Sequence, residues 1–405
     1  MKKVPLVTLL TLCFQMLIAQ GIDSLGLQLQ KIVDTTEIPG FAVAVVGKDR
    51  ILYKKGFGFA DVEQGIPYTD KTIHNIGSTT KTLIAFSLMK LVDEGKISLD
   101  DPINKYLPFK VVHPSFPESD ITIRQLATHT SSLTDGVDDL LIEKSYLFHG
   151  PINFKKEELP EDYFDYFEIY QTNHAVSMSE FLKNIYTPEG AWYESSNFLE
   201  VSPGTAYHYT NIGATLLAFI IEQVSLTDFA EYTKQILFGP LNMSHSFWAL
   251  DAVPKDVLAS LYLSNGLKIP HYELITYPDG GLFTNISDFS VYLMEMIKGI
   301  NGESSLLSTT WYTEMMQNQL TGKNFPKGSF ETSKGLMWSV NPEGDNISVN
   351  GADPGVMSYT LFTTQGNVGI VIFMNKTIYD NEELESAFKA IRATLFQNAG
   401  KLMKR

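Results

Sequence analysis

The sequence predicts an α/β fold of the α+β type, in which one sheet-containing domain is assembled from both ends of the chain and a mainly helical subdomain is inserted between them. Strand-like runs occur near both ends, whereas the middle consists of helical segments joined by Pro, Gly, Ser and Asn turns. The composition, 44% hydrophobic and 19% charged, is typical of a globular protein with a large core. We therefore expect an α/β domain over residues 21–107 and 291–405 and a helical insertion over 108–290.

The first twenty residues have the pattern of a signal peptide. Lys2 and Lys3 provide the positive start, an apolar run follows from Pro5 to Ala19, and Ala19 is a small residue before a cleavage point. The run is shorter than the roughly 20 residues that a bilayer span needs, so a retained anchor is the less favoured alternative. We expect export to the periplasm or the outside, and no membrane span once the signal peptide over 1–20 is removed.

The only cysteine, Cys13, lies inside this leader. The residue before it is Leu12, whereas lipoprotein signals place a small residue there, which argues against lipid attachment. The mature chain would contain no cysteine. Disulfides, thiol catalysis and cysteine-bound metals are therefore excluded together.

Charge and motif content narrow the possible partners. The formal net charge is −15 and no run of Lys or Arg lies away from the chain ends, which argues against nucleic acid. The histidines show no metal-ligand spacing, and neither a phosphate-binding glycine loop nor a Gly-x-Ser-x-Gly elbow is present. We expect no metal, no cofactor, and a small-molecule or peptide substrate, with the oligomeric state left open.

The elements before residue 100 are a helix, a hairpin and a second helix. Apolar spacing predicts a helix over Ile22 to Thr35, and β-rich runs predict strands over Phe41 to Val46 and Ile51 to Gly56. Gly47-Lys48-Asp49-Arg50 separates the two runs as a hairpin turn. A buried helix is predicted over Thr80 to Glu94 because its apolar residues recur at helical spacing up to Gly95.

The last hundred residues return to strands. These are predicted over Ser348 to Val349, Val356 to Phe362 and Val368 to Met374, followed by a closing helix over Glu382 to Phe396. The aromatic segment over 137–197 shows little periodicity. A partly buried surface excursion is the simpler interpretation of that segment, and a substrate-facing lid is the alternative.

The first candidate for chemistry is Gly77-Ser78-Thr79-Thr80-Lys81, where a loop becomes a long apolar helix. A serine in the opening turn lies among unpaired backbone N–H groups, and a lysine three residues later lies on the same face. An amine held there can take the serine proton if burial and neighbours adjust its pKa. The simpler alternative is a helix-capping Ser78 beside a solvated Lys81.

The second candidate is Tyr209-Thr210-Asn211, which precedes a helical run over Ile212 to Val224. A tyrosine close to a lysine can serve as a base, and an asparagine side chain can bind an amide and hold the lysine. By itself the tripeptide is common. A packed tyrosine with a capping asparagine is the alternative explanation.

The order of these motifs and of the segments around them resembles the serine β-lactamase and penicillin-binding superfamily, in particular the class C β-lactamase-like branch with its DD-peptidases, esterases and D-amino-acid amidases. The resemblance implies an antiparallel sheet flanked by helices, the β-lactamase/transpeptidase-like fold. Besides the two candidate motifs, the matching segments are Ile38-Pro39-Gly40, Gly58-Phe59-Ala60-Asp61, Gly95 to Pro102, Ile123-Arg124-Gln125-Leu126, His129-Thr130-Ser131, Gly280-Gly281-Leu282, Gly335-Leu336-Met337-Trp338 and Gly351-Ala352-Asp353-Pro354-Gly355.

Carried over by position, the resemblance implies a complete acyl-transfer machinery. Ser78 would attack a carbonyl, Lys81 would accept or relay the proton, and Tyr209 would serve as base and acid. Backbone N–H groups of Ser78 and Ala352 would form the oxyanion hole. The substrate-binding residues would be Asn211, Asn350, Gly351 and Ala352.

The third motif departs from the family pattern. Its usual Lys or His falls on Val349, and Asn350 and Gly351 complete a Val-Asn-Gly sequence. A cation there helps to bind a substrate carboxylate, so its loss should weaken recognition of penicillins and of peptides that end in a free carboxylate. Arg124 and Lys334 are the candidates to supply a replacement charge.

A smaller departure is Ser132, where glycine is more usual, and we interpret it as a turn adjustment. His129 is interpreted as a hydrogen-bonded structural histidine rather than a catalytic one. The sequence therefore predicts a metal-free serine hydrolase that cleaves an ester or an amide. The rival hypothesis is a catalytically weak protein that binds a cell-wall fragment or a protein partner.

Overall fold

The computed structural model describes residues 24–327, 332–341, 343–365 and 367–404, apart from the side chain of residue 162. The predicted signal peptide over 1–20 lies outside these residues. Helices and strands alternate with short turns throughout the described part of the chain.

The helices are α1 (24–35), α2 (Lys81–Asp93), α3 (Ile123–Ala127), α4 (Leu140–Glu143), α5 (Phe167–Thr172), α6 (Met178–Tyr186), α7 (Asn211–Ser225), α8 (Phe229–Thr233), α9 (Gly239–Leu241), α10 (Ile286–Ile300), α11 (Thr309–Met316) and α12 (Glu382–Met403). A π-helical stretch, Lys234–Phe238, joins α8 to α9. Short 3₁₀ turns are Gly77–Thr80, Ile103–Lys105, Val137–Asp139, Lys156–Glu158, Glu161–Tyr163, Ser195–Asn197, Leu250–Ala252 and Tyr277–Asp279. The strands are β1 (Gly40–Gly47), β2 (Ile51–Asp61), β3 (Ile66–Pro67), β4 (His74–Asn75), β5 (Tyr146–Phe148), β6 (Leu261–Tyr262), β7 (Lys268–Ile269), β8 (Tyr272–Leu274), β9 (Phe283–Thr284), β10 (Ser339–Val340), β11 (Asn346–Asp353), β12 (Val356–Thr363) and β13 (Val368–Met374).

The main sheet has seven antiparallel strands in the order β10-β11-β12-β13-β1-β2-β3. It joins strands from the two ends of the chain, because β1 pairs with both β2 and β13. Three two-stranded sheets, β4-β9, β5-β8 and β6-β7, lie outside it. The pairing between β11 and β12 aligns Asn350 with Tyr359 and Ala352 with Met357.

Both faces of the central strand β1 are covered, which explains its unbroken apolar sequence. Phe41, Val43 and Val45 face α12 and α1 in one core cluster. Ala42 and Ala44 face the opposite way, into the cluster that contains α2, α7 and α10. The sheet therefore lies between two helical layers, and the larger layer contains α2, α7 and α10.

Three predicted elements are longer than the sequence indicated. Strand β11 continues through Gly351 to Asp353, where glycine and aspartate are poor strand formers, because pairing with β12 decides its length. Helix α12 continues past Phe396 to Met403, since Ala399 and Leu402 remain buried against the sheet. Strand β2 continues five residues past Gly56 to Asp61, because it pairs with β1 and then with β3. The helix over 24–35 and strands β1, β12 and β13 confirm the other predictions within about two residues.

No single helix among the described residues is long and apolar enough to cross a bilayer. The helical segments Asn211–Ser225 and Phe229–Leu241 together reach that length and apolar character, but the chain bends by 76° between them.

Candidate active site

The turn that carries Ser78 is the 3₁₀ segment Gly77–Thr80, which leads directly into α2. Gly77 has a φ of 55°, and a Cβ atom on it would lie 2.8 Å from the backbone nitrogen of Ala352. Only glycine tolerates both the left-handed backbone and this close approach. The turn therefore presents Ser78 beside the end of β11.

Lys81 is 1% exposed, and its ammonium donates three hydrogen bonds. The acceptors are Ser78 Oγ at 3.0 Å, Asn211 Oδ1 at 2.7 Å and the backbone carbonyl of Asp279 at 2.8 Å. Burial lowers the pKa of Lys81, but Tyr209 and the Asp279 carboxylate raise it, and the net result is a raised pKa. The resting amine is therefore a charged donor with all three N–H groups in use.

Tyr209 is the second side chain that contacts the nucleophile. Its hydroxyl donates to Ser78 Oγ at 2.6 Å, and Lys81 Nζ lies 5.1 Å from the centre of its ring. Burial raises the pKa of Tyr209, and the Lys81 ammonium opposes part of the rise. Ser78 Oγ thus accepts from two protonated groups at rest, so the pair must lose one proton before either member can take the serine proton.

His129 supports Tyr209 and does not touch Ser78 Oγ. It has a φ of 56°, its ring centre lies 4.6 Å from that of Tyr209, and its Nδ1 accepts from the Thr210 backbone N–H at 3.3 Å. Burial holds the pKa of His129 well below its usual range, so the ring is neutral. This arrangement matches the structural role interpreted from the sequence.

Asn211 is the first residue of α7, whose N-cap is Thr210. Its Oδ1 faces Lys81, and its Nδ2 donates to Asp135 Oδ2 at 2.9 Å. One Nδ2 hydrogen therefore remains for the substrate amide that the family resemblance assigns to this residue. Asp135 was missed in the sequence, where its only signal is its position four residues after His129-Thr130-Ser131.

Gly351 and Ser358 hold β11 against the nucleophile turn. A Cβ on Gly351 would lie 2.2 Å from the Ile76 carbonyl oxygen and 2.7 Å from the Thr79 nitrogen. Ser358 Oγ donates to the Ile76 carbonyl at 2.6 Å and lies 2.7 Å from Thr79 Oγ1. These contacts bring the backbone of Ala352 to Ser78, where an oxyanion hole would need it. Ser358 has no sequence signal beyond its place in a strand.

Val349 points into the core cluster on the Ser78 side of the sheet and is 9% exposed. Asn350 points to the other side and hydrogen-bonds with Tyr379, a contact that opposes the rise that burial causes in the tyrosine pKa. The strand therefore places a methyl-bearing side chain where the family pattern has a cation.

Of the two replacement cations considered, Lys334 lines the cleft and Arg124 does not. Arg124 is bound to Asp100 at 2.8 Å and to Glu314 at 2.7 Å. Lys334 is 5% exposed, with Nζ 3.3 Å from Ser339 Oγ. The cleft thus contains a lysine beside β10, outside strand β11, where the family pattern places its cation.

The cleft has a volume of about 1040 Å³, and much of one wall comes from the aromatic segment over 137–197. The side chains that this segment contributes include Tyr146, Tyr163, Tyr166 and Tyr170. The segment is therefore part of the cleft lining, which favours the substrate-facing interpretation over a surface excursion. Within the described ranges, no group of three or more His, Cys, Asp or Glu side chains is placed to hold a metal ion.

Three buried carboxyl groups also line the cleft. Burial raises the pKa of Asp279 to about 6, of Asp353 to about 7 and of Glu143 to about 8. A neighbouring group opposes part of each rise in pKa. These groups are Lys81 for Asp279, the Tyr146 hydroxyl at 2.8 Å for Asp353, and the Tyr170 hydroxyl for Glu143. Burial therefore favours the protonated, neutral form of all three carboxyl groups.

A family model described as "Beta-lactamase" matches residues 28–395 of the chain. The chain belongs to the Beta-lactamase family. The resemblance inferred from the order of the motifs is therefore confirmed, and with it the general class of penicillin-binding-like, β-lactamase-related proteins.

Curated relatives of this Beta-lactamase family chain are distant in sequence. "Protein flp" of Staphylococcus aureus is 22% identical over 342 residues, which are 84% of this chain and 60% of that protein. "Putative penicillin-binding protein PbpX" of Bacillus subtilis is 26% identical over 361 residues, 88% of this chain and 75% of the relative. The family chain thus spans three fifths of the length of flp.

Solved structures share the fold. The octameric penicillin-binding protein homologue from Pyrococcus abyssi superposes with a TM-score of 0.69 at 24% identity, covering 93% of this chain and 77% of that one. A class C beta-lactamase gives a TM-score of 0.63 at 21% identity, covering 93% and 96%. The predicted β-lactamase/transpeptidase-like fold, an antiparallel sheet flanked by helices, is confirmed.

Proposed function

We propose that this Beta-lactamase family member is an exported, metal-free serine hydrolase that cleaves an ester or amide bond through a covalent acyl-enzyme on Ser78. The observation that carries the proposal is the convergence of Lys81 Nζ, at 3.0 Å, and Tyr209 Oη, at 2.6 Å, on Ser78 Oγ. Two proton-handling groups on one serine hydroxyl are the requirement for nucleophilic catalysis by that serine. The leader pattern over 1–20 supports export.

The proposed reaction begins when the Lys81–Tyr209 pair has lost one proton. The pair takes the proton of Ser78 as Oγ bonds to the substrate carbonyl carbon, and the carbonyl oxygen becomes an oxyanion that the backbone N–H groups of Ser78 and Ala352 stabilise. Tyr209 then protonates the leaving alcohol or amine as its bond to carbon breaks. Water attacks the acyl-enzyme, gives its proton to the pair, and the Ser78 oxygen leaves and is reprotonated.

The substrate is proposed to be an ester or a peptide rather than a rapidly destroyed β-lactam, because Val349 replaces the cation that binds a carboxylate. Introducing that cation as Val349→Lys should raise the rate of acylation by benzylpenicillin about ten- to a hundredfold, since a hydrogen bond to a charged group contributes about 1.5–3 kcal/mol. The measurement is the acylation rate constant of the variant and of wild type. Val349→Met, similar in length but uncharged, is the control, and equal rates in the two variants would contradict this account of specificity.

The enzyme claim is tested by turnover of a p-nitrophenyl ester. Ser78→Ala should reduce hydrolysis to the uncatalysed background because it removes the nucleophile and leaves the rest of the cleft in place. Ser87→Ala is the matched control. It lies in the same helix α2, outside the cleft, and its buried hydroxyl has no hydrogen-bond partner in the described part of the chain.

The second candidate function, binding without turnover, is favoured by the missing cation at Val349 and by the tyrosine-rich wall of the cleft. Binding without turnover predicts a different result for wild type and for Ser78→Ala. A binding protein would show ligand-dependent thermal stabilisation that survives Ser78→Ala, with no measurable hydrolysis in wild type.

A further inference from the structure

Asp135 is a buried carboxylate that takes no direct part in the proposed reaction. It contacts Asn211, which in turn contacts Lys81. We propose that Asp135 is a positioning residue: it fixes the orientation of the Asn211 amide, and through Asn211 it holds Lys81 on the nucleophile. The effect on rate rests on the proposed function, whereas the effect on geometry does not.

Asp135 is 2% exposed and receives four hydrogen bonds from the segment that begins α7. Its Oδ1 accepts from Thr210 Oγ1 at 2.5 Å and from the Ile212 N–H at 2.9 Å. Its Oδ2 accepts from the Asn211 N–H at 2.7 Å and from Asn211 Nδ2 at 2.9 Å. Each oxygen therefore has two donors, and two of the four are N–H groups that α7 itself leaves unpaired.

The donors impose a direction on the Asn211 amide. An amide has an acceptor side and a donor side, and a carboxylate can only accept. With Nδ2 directed at Asp135, Oδ1 must face Lys81, where it receives the 2.7 Å bond. The reversed amide would place an NH₂ group against an ammonium and an oxygen against a carboxylate, which are two repulsive contacts.

The same carboxylate anchors the segment that carries Tyr209. Thr210 and Asn211 follow Tyr209 directly, and both are bound to Asp135. Lys81 lies on α2, which packs against α7, and is reached through the Asn211 side chain. One buried group thus sets the position of both proton-handling side chains around Ser78, and displacements of about 1 Å in such groups can cost about a hundredfold in rate.

Asp135→Asn is the informative substitution because it keeps the shape and reverses the donor pattern. The NH₂ end of the new amide must face either the N–H and Nδ2 of Asn211 or the N–H of Ile212, so donors at the start of α7 lose their acceptor in either orientation. The Asn211 amide is then no longer held by a charged acceptor. We expect kcat to fall about 10- to 100-fold with KM nearly unchanged. The half-maximum of the pH profile of kcat/KM should move to lower pH, because the Lys81 ammonium loses an acceptor and a nearby negative charge.

Two controls separate positioning from folding. Asp288→Asn changes a second buried aspartate, which lies in the first turn of α10 and outside the cleft, and should alter thermal stability without shifting the pH profile. In an Asn211→Ala background, Asp135→Asn should cause a smaller loss than in wild type, since the amide it orients is gone and only the anchoring of the segment that follows Tyr209 remains. Additive losses in this cycle, or an unshifted profile, would overturn the proposal.

A crystal structure of Asp135→Asn provides the readout that does not depend on activity. The expected result is an Asn211 side chain whose contact with Lys81 Nζ is lengthened beyond hydrogen-bond distance. Retention of that contact would overturn the positioning role, whatever the activity of the variant. If wild type shows no turnover while the contact is lost as expected, the hydrolase function fails and the positioning role stands.

Discussion

Replacing Lys81 by methionine is expected to lower kcat/KM for an ester substrate by a factor of about 10²–10⁴, the usual contribution of a positioned acid–base group. Methionine fills a similar volume but has no amine, so the Ser78 oxygen loses one of its two donors and the Asn211 oxygen loses its cation. Steady-state hydrolysis measures the loss. Lys90→Met, in the same helix with its ammonium on the Leu306 carbonyl and outside the cleft, is the control and should keep wild-type activity.

The stability of Lys81→Met should fall without loss of the fold. Methionine leaves the Asn211 oxygen and the Asp279 carbonyl without a donor and the Asp279 carboxyl without its neighbouring cation, and removing one partner of a buried charged contact is destabilising. Thermal unfolding should therefore show one cooperative transition at a melting temperature below that of wild type. A variant that keeps most of its activity, or that loses activity only together with its fold, would contradict the catalytic role of Lys81.

Tyr209→Phe is expected to cost about 10²–10⁴ in kcat/KM, because it removes only the hydroxyl that donates to Ser78 Oγ at 2.6 Å. The pH profile gives a sharper result. The raised pKa values of Tyr209 and Lys81 mean that both are protonated near neutral pH, so wild-type kcat/KM should rise with pH as the pair loses its proton. In Tyr209→Phe, the pH at which kcat/KM rises should differ from that of wild type, since only Lys81 of the pair remains to titrate.

The matched control is Tyr232→Phe, a buried tyrosine outside the cleft whose hydroxyl has no hydrogen-bond partner among the described residues. It should leave both the rate and the pH profile unchanged. If Tyr209→Phe behaves like this control, the proton of the leaving group must come from another group and the assignment of Tyr209 is wrong.

Local pattern was sufficient to predict most of the framework that positions the site. The apolar runs of β1 and β13, the β-rich run that begins β2 and the helical spacing in α2 are local properties. Each element formed where its pattern indicated, although β2 continues to Asp61. Ser78 and Tyr209 were found because each sits at a helix start within an ordered series of motifs. Their meeting at 2.6 Å across 131 residues follows from the fold and not from either motif alone.

The residues that sequence reasoning missed act through long-range contacts. Asp135 binds residues 75 to 77 positions away, and Ser358 binds a carbonyl 282 positions away, so no periodicity or spacing reveals either. The Asp279 carbonyl that receives Lys81 was likewise unpredictable, because every residue type carries a carbonyl. The end of β11 was missed since pairing, rather than propensity, sets its length.

The central claim, that Ser78 is the acylated nucleophile, is tested most directly by intact-protein mass spectrometry after incubation with a fluorophosphonate. We predict one added phosphonyl group per chain, located by peptide mapping on the segment that contains Ser78, with no addition to Ser78→Ala and a slower addition to Lys81→Met. An unmodified wild-type protein, or an equal addition to Ser78→Ala, would contradict the account.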